Sequence, residues 1–360
     1  MDIVILGLSI TSAWGNGHAT TYRALVRALH DRGHRVLFLE RDVPWYAEHR
    51  DLLDPPYADV QLYESLEELR ETFVEAVASA DLAIVGSFVP DGVQVGDWVQ
   101  ATASGATAFY DIDTPVTLAR LAREDHEYLH PRQFPGYDLY LSFTGGPTLT
   151  RLEQEYGSPA ARPLYCSFDP DAYFPDPSAE PVWDLGYLGT YSDDRQPGLE
   201  CTLLAPASRW TVGRFVVAGP NYPDEVEWPA NVERIEHLPP ERHRWFYTRQ
   251  RFTLNLTRAD MIRAGFAPSV RLFEAAACGT PIISDWWQGL DTLFAPGEEI
   301  VIARSTEDVL RVLREMPEDA RRSMAERARL RVLSSHTSRH RALQLESYLH
   351  DLAADRVPTG

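Results

Sequence analysis

A chain of 360 residues, 44% hydrophobic and 24% charged, has ordinary globular composition and the length for two domains at roughly 150 residues each. Its formal net charge of −19 repels polyanions, so no nucleic acid and no anionic membrane is expected as partner, although a local arginine cluster can still hold one small diphosphate. No apolar run approaches the ~18 residues of a spanning helix, Met1–Gly7 lacks the basic region of a signal peptide, and Cys166, Cys201 and Cys278 are too widely spaced for a disulfide framework or a metal quartet; a cytoplasmic protein without membrane insertion is expected.

The first forty residues read as a βαβ unit. Asp2–Leu8 is a continuous apolar run, as a buried parallel strand requires. Ser9–His18 is a loop of small residues, after which Tyr22, Leu25, Val26 and Leu29 recur on one face of a helix. Gly33 ends that helix and Arg35–Glu40 is the second strand. A helix near Ser65–Ser79, a strand at Leu82–Gly86, a helix near Val93–Ala103 and strands at Thr107–Asp111 and Leu139–Thr144 continue the alternation. The proline- and acid-rich stretch Ser167–Pro181 reads as a linker.

A second alternating set follows. Its strands are expected near Leu185–Gly189, Arg214–Ala218, Phe252–Leu256, Pro281–Ser284 and Glu299–Ala303, and its helices near Leu199–Ala207, Glu241–Thr248 and Ser269–Cys278. Helices over Thr306–Met316 and Pro317–Leu333 close the set, and a last one near Thr337–Ala353 carries Ala342, Leu345, Leu349 and Leu352 on one face. The fold class is therefore α/β, with two Rossmann-like doubly wound domains facing a central cleft. The expected boundaries are a first domain at 1–166, a linker at 167–181, a second domain at 182–335 and a terminal helix at 336–360 packing back across the domains.

All 34 cationic residues are arginine. This removes Schiff-base chemistry and the lysine of a P-loop, and leaves guanidinium forks, backbone N–H groups and helix N-termini to hold phosphate. The most informative stretch is Ala267–Ser284, APSVRLFEAAACGTPIIS. Pro268 suits a helix start, Gly279 its stop, and Pro281 forbids continuation. Val270, Phe273 and Ala277 are expected to face the core, with Arg271 and Glu274 at i and i+3 sharing a face that borders the cleft. As bare physics, such a pair is more often a solvated surface pair.

The run Arg271–Ser284 resembles the donor-binding segment of retaining GT-B glycosyltransferases, and is similar in particular to the CgeB-like branch. Other pieces of that pattern follow in order: Tyr110–Pro115, Ser142–Pro147, Tyr187–Tyr191 with Arg195, and Leu254–Arg258. The resemblance implies a nucleotide-sugar donor, with UDP favoured, and transfer to an acceptor hydroxyl that stays unidentified. It places the acceptor in the first domain and the donor in the second. It implies that Glu274 holds the donor ribose, that Arg195 and Arg258 hold the diphosphate with Ser269 and Arg271 beside it, and that His237 lies near the base; Thr190 and Asn255 complete the donor set. Where the broad family carries a second glutamate, eight positions before the ribose-binding one, this chain has Phe266. Donor sugar and stereochemical outcome thus stay open, and a nucleotide-sugar epimerase or a non-catalytic nucleotide-binding module are the alternatives.

The loop Gly15-Asn16-Gly17 precedes His18, which is either a general base at the cleft or a packed helix-start histidine. Asp113 is expected on the acceptor side and Asp111 in a turn contact. Alternate residues on a strand end point apart, so Asp111-Ile112-Asp113 is not expected to bind metal. No metal or cofactor is expected. Trp286 and Trp287 either stack on a sugar ring or pack.

Overall fold

Two parallel sheets organise the chain. The computed structural model describes residues 1–15 and 17–356, so Asn16 of the expected acceptor loop lies outside the described residues. The chain divides into unit 1, residues 1–166 with 338–360, and unit 2, residues 167–337. The segment 167–181 thus belongs to unit 2, and the terminal helix belongs to unit 1.

In unit 1 the described residues form seven parallel strands: β1 (Asp2–Gly7), β2 (Arg35–Arg41), β3 (Asp59–Tyr63), β4 (Leu82–Gly86), β5 (Ala106–Asp111), β6 (Leu139–Ser142) and β7 (Ala161–Pro163). They lie in the order β3-β2-β1-β4-β5-β6-β7. Core residues of β1, β4 and β5 alternate between the two faces of the sheet. Ile3, Ile5, Ile84 and Tyr110 pack with Tyr22, Leu25 and Leu29 of the helix His18–Asp31 and with Ala342 and Leu345 of the helix Ser338–Arg356. Val4, Leu6, Val85 and Phe109 pack with Leu69, Val77, Val95 and Val99 on the other face. This two-sided burial is why the strands read as unbroken apolar runs.

Unit 2 has six described parallel strands: β8 (Trp183–Leu188), β9 (Phe215–Ala218), β10 (Val232–Ile235), β11 (Gln250–Asn255), β12 (Ile282–Ser284) and β13 (Val301–Ile302). Their order is β10-β9-β8-β11-β12-β13. In both sheets the winding reverses beside the first strand, between β1 and β4 and between β8 and β11. Such reversals leave a crevice at the strands' carboxyl ends, where ligands of this architecture bind.

Two expected helices differ in detail. The segment expected at Ser65–Ser79 is two helices, Leu66–Thr72 and Val74–Ser79, broken at Phe73. The one expected at Leu199–Ala207 begins at Gln196, widens to an i→i+5 turn over Glu200–Leu204, and ends at Arg209. Insertions of that kind recur at functional sites, and this one directly follows Arg195.

Candidate functional site

At the reversal point of unit 2, Arg271 lies across the carboxyl ends of β8 and β11. It rises from the helix Val270–Ala277, whose first N–H groups are capped by the Ser269 hydroxyl, which accepts from the Arg271 backbone N–H. The Arg271 Nε donates to the Leu188 carbonyl at 2.6 Å and Nη1 to Asn255 Oδ1 at 3.0 Å, with the guanidinium 4.9 Å from the centre of the Tyr187 ring. Asn255 is wholly buried and donates in turn to Thr257 Oγ1 and Ser284 Oγ. It therefore stands behind Arg271 as its support.

Arg195 and Arg258 stand close to Arg271. Arg195 is half-buried and donates from Nη2 to the Thr190 carbonyl at 2.6 Å, while its Nε has no partner among the described residues. Burial pulls the Arg195 guanidinium below its ordinary value, and the charges of Arg271 and Arg258 pull the same way. Arg258 and Thr190 are exposed. Among the described residues, no carboxylate forms an ion pair with any of these three arginines, whereas Arg23, Arg32, Arg41 and Arg50 each have one. Three cations without an ion pair among the described residues, in a chain of net charge −19, repel one another and leave N–H donors that an anion can take.

Glu274 is on the same helix but is enclosed rather than bordering open space. Its carboxylate accepts from the Tyr247 hydroxyl at 3.1 Å and lies 3.6 Å from His243 Nδ1. Burial, reinforced by the Glu274 charge, pushes the Tyr247 and Tyr173 hydroxyls up. Of the three residues expected to face the core, Phe273 and Ala277 are buried and Val270 is only partly so, while Arg271 and Glu274 are buried as well, because the helix is covered on most sides. Sequence reading missed His243 and Tyr247, whose i,i+4 spacing on the helix His243–Thr248 was the available signal. His237 is exposed in the loop after β10, two strands from β8 across the sheet.

Phe266 occupies the position of the missing glutamate in a left-handed conformation, φ 48°. An aromatic side chain is uncommon there and costs backbone strain. Its N–H donates to the Gln288 carbonyl, and its ring fills the space that a side chain on Gly289 would occupy. A surface cavity of about 510 Å3 lies beside Arg195, lined among others by Leu256, Thr257, Ile262, Asp285 and Trp286. Trp286 is exposed there, whereas Trp287 is fully buried and packs.

The reversal point of unit 1 holds the other expected residues. His18 begins the helix after the β1 loop, and its Nε2 lies 3.3 Å from Asp113 Oδ2. Its ring meets the Phe88 ring edge-on after β4. The His18 side chain is 8% exposed and that of Asp113 38%; His18 Nδ1 is buried with no partner among the described residues. The solvent-facing member of the pair is thus the aspartate. Asp111 diverges from it: buried, it accepts from Tyr140 and Thr117 hydroxyls and from the Asp113 N–H. Burial raises its carboxyl from 3.8 to about 6, against those hydrogen bonds and with the Asp113 charge adding to the rise. Gly15 and Gly17 are exposed in the same loop, with open space where a side chain would stand. No group of three or more metal-binding side chains occurs among the described residues, and none of their helices is long and apolar enough to cross a membrane.

Residues 195–347 match the family described as glycosyl transferase-like, a span that begins at Arg195 and holds the arginine site and Glu274. Among solved structures, a sucrose-phosphate synthase from Thermosynechococcus elongatus aligns with a TM-score of 0.68 at 17% identity, over 99% of this chain and 100% of its own. The Anabaena protein HepE, solved in complex with UDP-glucose, aligns with a TM-score of 0.66 at 13% identity, over 98% of this chain and 100% of its own. An α-glucosyltransferase solved with UDP-glucose and DNA containing an abasic site aligns with a TM-score of 0.72 at 11% identity, over 97% of this chain and 99% of its own. No curated protein sequence is significantly similar to this chain. The fold is the GT-B fold of these glycosyltransferases.

Proposed function

We propose that this GT-B chain is a glycosyltransferase that takes a sugar from a nucleoside diphosphate donor, UDP in the first place, and moves it to an acceptor hydroxyl. The observation that carries the reading is the trio Arg195, Arg258 and Arg271, without ion-pair partners among the described residues, at the reversal point of unit 2. There the departing diphosphate accumulates negative charge, and preorganised guanidinium donors stabilise it without a metal or cofactor. The CgeB-like motif order, and neighbours solved with UDP or UDP-glucose, support the choice of donor. Glu274 binds the ribose in this reading by exchanging the Tyr247 hydroxyl for a ribose hydroxyl.

In unit 1, Asp113 is the group that takes the acceptor's proton, and the His18 Nε2–H holds its carboxylate and shares the charge. The base role thus falls to Asp113 rather than to His18, because the accessible oxygen belongs to Asp113. The net charge argues for an acceptor other than DNA.

The experiment is a thermal-shift screen with UDP, GDP, ADP, dTDP and CDP. A nucleotide at ~100 times its dissociation constant stabilises the native state by about 2.7 kcal/mol. UDP is expected to give the largest shift, weakened at least roughly tenfold in apparent affinity by Arg258→Ala, an exposed residue whose loss leaves the fold intact. Asp113→Asn is expected to keep the UDP shift and to stop UDP release from UDP-glucose in the presence of acceptor. Absence of a shift with all five nucleotides overturns the donor site. Binding of UDP-glucose without release of UDP in the presence of any acceptor favours the non-catalytic reading that Phe266 motivates.

A further inference from the structure

The loop that leads from β1 to His18 is held far more firmly than a connection needs. Glu40, wholly buried at the carboxyl end of β2, accepts from Ser9 Oγ (3.0 Å), Ile10 N (2.7 Å), Thr11 N (3.0 Å) and Thr11 Oγ1 (2.6 Å). Further along, Ser12 Oγ donates to the His49 carbonyl at 2.8 Å and Ala13 N to Asp51 Oδ1 at 3.1 Å. The Asp51 and Leu52 N–H groups donate back to the Thr11 carbonyl. The β1 and β2 loops are therefore one rigid piece.

What this rigid piece presents outward is aromatic. The Trp14 ring stacks on His49 with centroids 4.5 Å apart and planes 17° apart, and the Trp45 ring lies tilted against His49 at 5.6 Å and 41°. Trp45 is 60% exposed, more than any other described tryptophan or phenylalanine. With Trp14 and His49 it forms a contiguous aromatic patch rather than a single scattered surface ring. The His49 Nδ1 lies 2.9 Å from the Trp45 carbonyl. A carbonyl only accepts, so in the neutral ring that nitrogen carries the hydrogen and Nε2 keeps a lone pair at the platform's edge.

The arginines beside the platform are already paired, while the exposed Glu48, next to His49 in the chain, forms no ion pair among the described residues. Asp51 takes both N–H ends of Arg23, and Arg50 pairs with Asp42 at 2.6 Å. An anion finds no unpaired arginine there, whereas an uncharged ring with hydroxyls at its rim can donate to His49 Nε2. A pyranose has that form: axial C–H bonds make one face apolar, and the equatorial hydroxyls lie at the edge. Trp14 is four residues before His18 in the loop at the carboxyl end of β1.

We propose that Trp14, His49 and Trp45 form an acceptor platform for an uncharged saccharide, whose ring stacks on the indoles and whose rim hydroxyl donates to His49 Nε2. The assignment of that saccharide as the acceptor rests on the glycosyltransferase reading above. The binding itself is read without any nucleotide.

The test is saturation-transfer NMR on the full chain with maltose, cellobiose, lactose and N,N′-diacetylchitobiose. At least one is expected to receive saturation, strongest on the protons of one ring face. Trp45→Ala is expected to weaken it on the order of fivefold, and Trp45→Phe to restore most of it. Trp45 is exposed, so this change leaves the fold intact, and unchanged melting of the variant confirms that. Saturation of none of the four sugars, or binding indifferent to Trp45→Ala, overturns the platform even if UDP binds. A Trp45-dependent blue shift of fluorescence on neutral phosphatidylcholine vesicles, with no sugar binding, overturns it in favour of a lipid surface. Failure of UDP to bind overturns the transferase reading and leaves saccharide binding to be judged on Trp45 alone.

Discussion

Asp111 shows how one carboxyl can be tuned to support another. It is fully buried, yet the strand end places Tyr140, Thr117 and the Asp113 N–H around it, so the Asp113 backbone is fixed by a side chain two residues away. Its carboxyl is raised to about 6 from 3.8 by burial. A folded-state value above the unfolded one means that the native chain binds the extra proton between pH 3.8 and about 6. The group's stabilising contribution is therefore complete below pH 3.8 and is lost as the pH rises through about 6. Asp111→Asn removes this titration. The stability of the native protein relative to that variant is expected to fall by on the order of 2–3 kcal/mol from pH 4 to pH 7. Chemical denaturation of both proteins across that range checks it, and a difference independent of pH removes the assigned titration. The residue types at the reversal point of unit 2 were legible in sequence: with no lysine present, the permanent side-chain cations there are arginines. Their partners were not. Tyr247 and His243 meet Glu274 through helix packing, and His18 meets Asp113 across 95 positions, relations that no local spacing encodes.

At the scale of elements, what sequence reading found and missed divides by burial. Strands of the sheet interiors, β1, β4, β5, β8 and β11, are apolar runs and were read directly. Those missed were β3, β7 and β10, each at a sheet edge. An edge strand buries less and is short, so Val232–Ile235, VERI, carries too little pattern to be distinguished from a loop. The helices Thr114–Leu121 and Pro147–Gln154 were also missed; prolines in their first turns read as loop signals although they suit a helix start. The turn after β9 is where an element boundary meets the site. Gly219 has φ 140°, and a Cβ there would stand 2.1 Å from the Gly189 carbonyl oxygen, next to the Thr190 peptide whose carbonyl accepts from Arg195. Gly219→Ala is expected to cost about 2 kcal/mol or more and to lower the melting temperature by roughly 5 °C. It should also weaken the UDP shift, because it displaces the strand end that anchors Arg195. A melting temperature within 1 °C of the native value, on the order of experimental error, would show that the turn has room to adjust.

For the molecule as a whole, the chain's path matters more than its length. Unit 2 is continuous, and its arginine site draws on no residue of unit 1. Residues 167–337 produced alone are expected to melt cooperatively and to show the UDP shift; residues 1–166 alone are not expected to fold. Circular dichroism melts and the same nucleotide screen check both. The reason lies in the helix Ser338–Arg356. Its Ala342 and Leu345 complete the core against the helix His18–Asp31. Its Glu346 accepts two bonds from Arg32 and lies 2.7 Å from His34 Nε2, and its buried Arg341 donates to the Tyr165 and Cys166 carbonyls. A ribosome makes this helix only after the whole of unit 2. Domains ordinarily fold in the order of their synthesis, but here the unit begun first is finished second. During translation the exposed flank of β1 and its helix waits for about 170 residues to be added, which at ~5–20 residues per second is on the order of 10–30 s. The growing chain therefore presents a long-lived apolar surface to chaperones, and its exposure time is set by the length of the second unit.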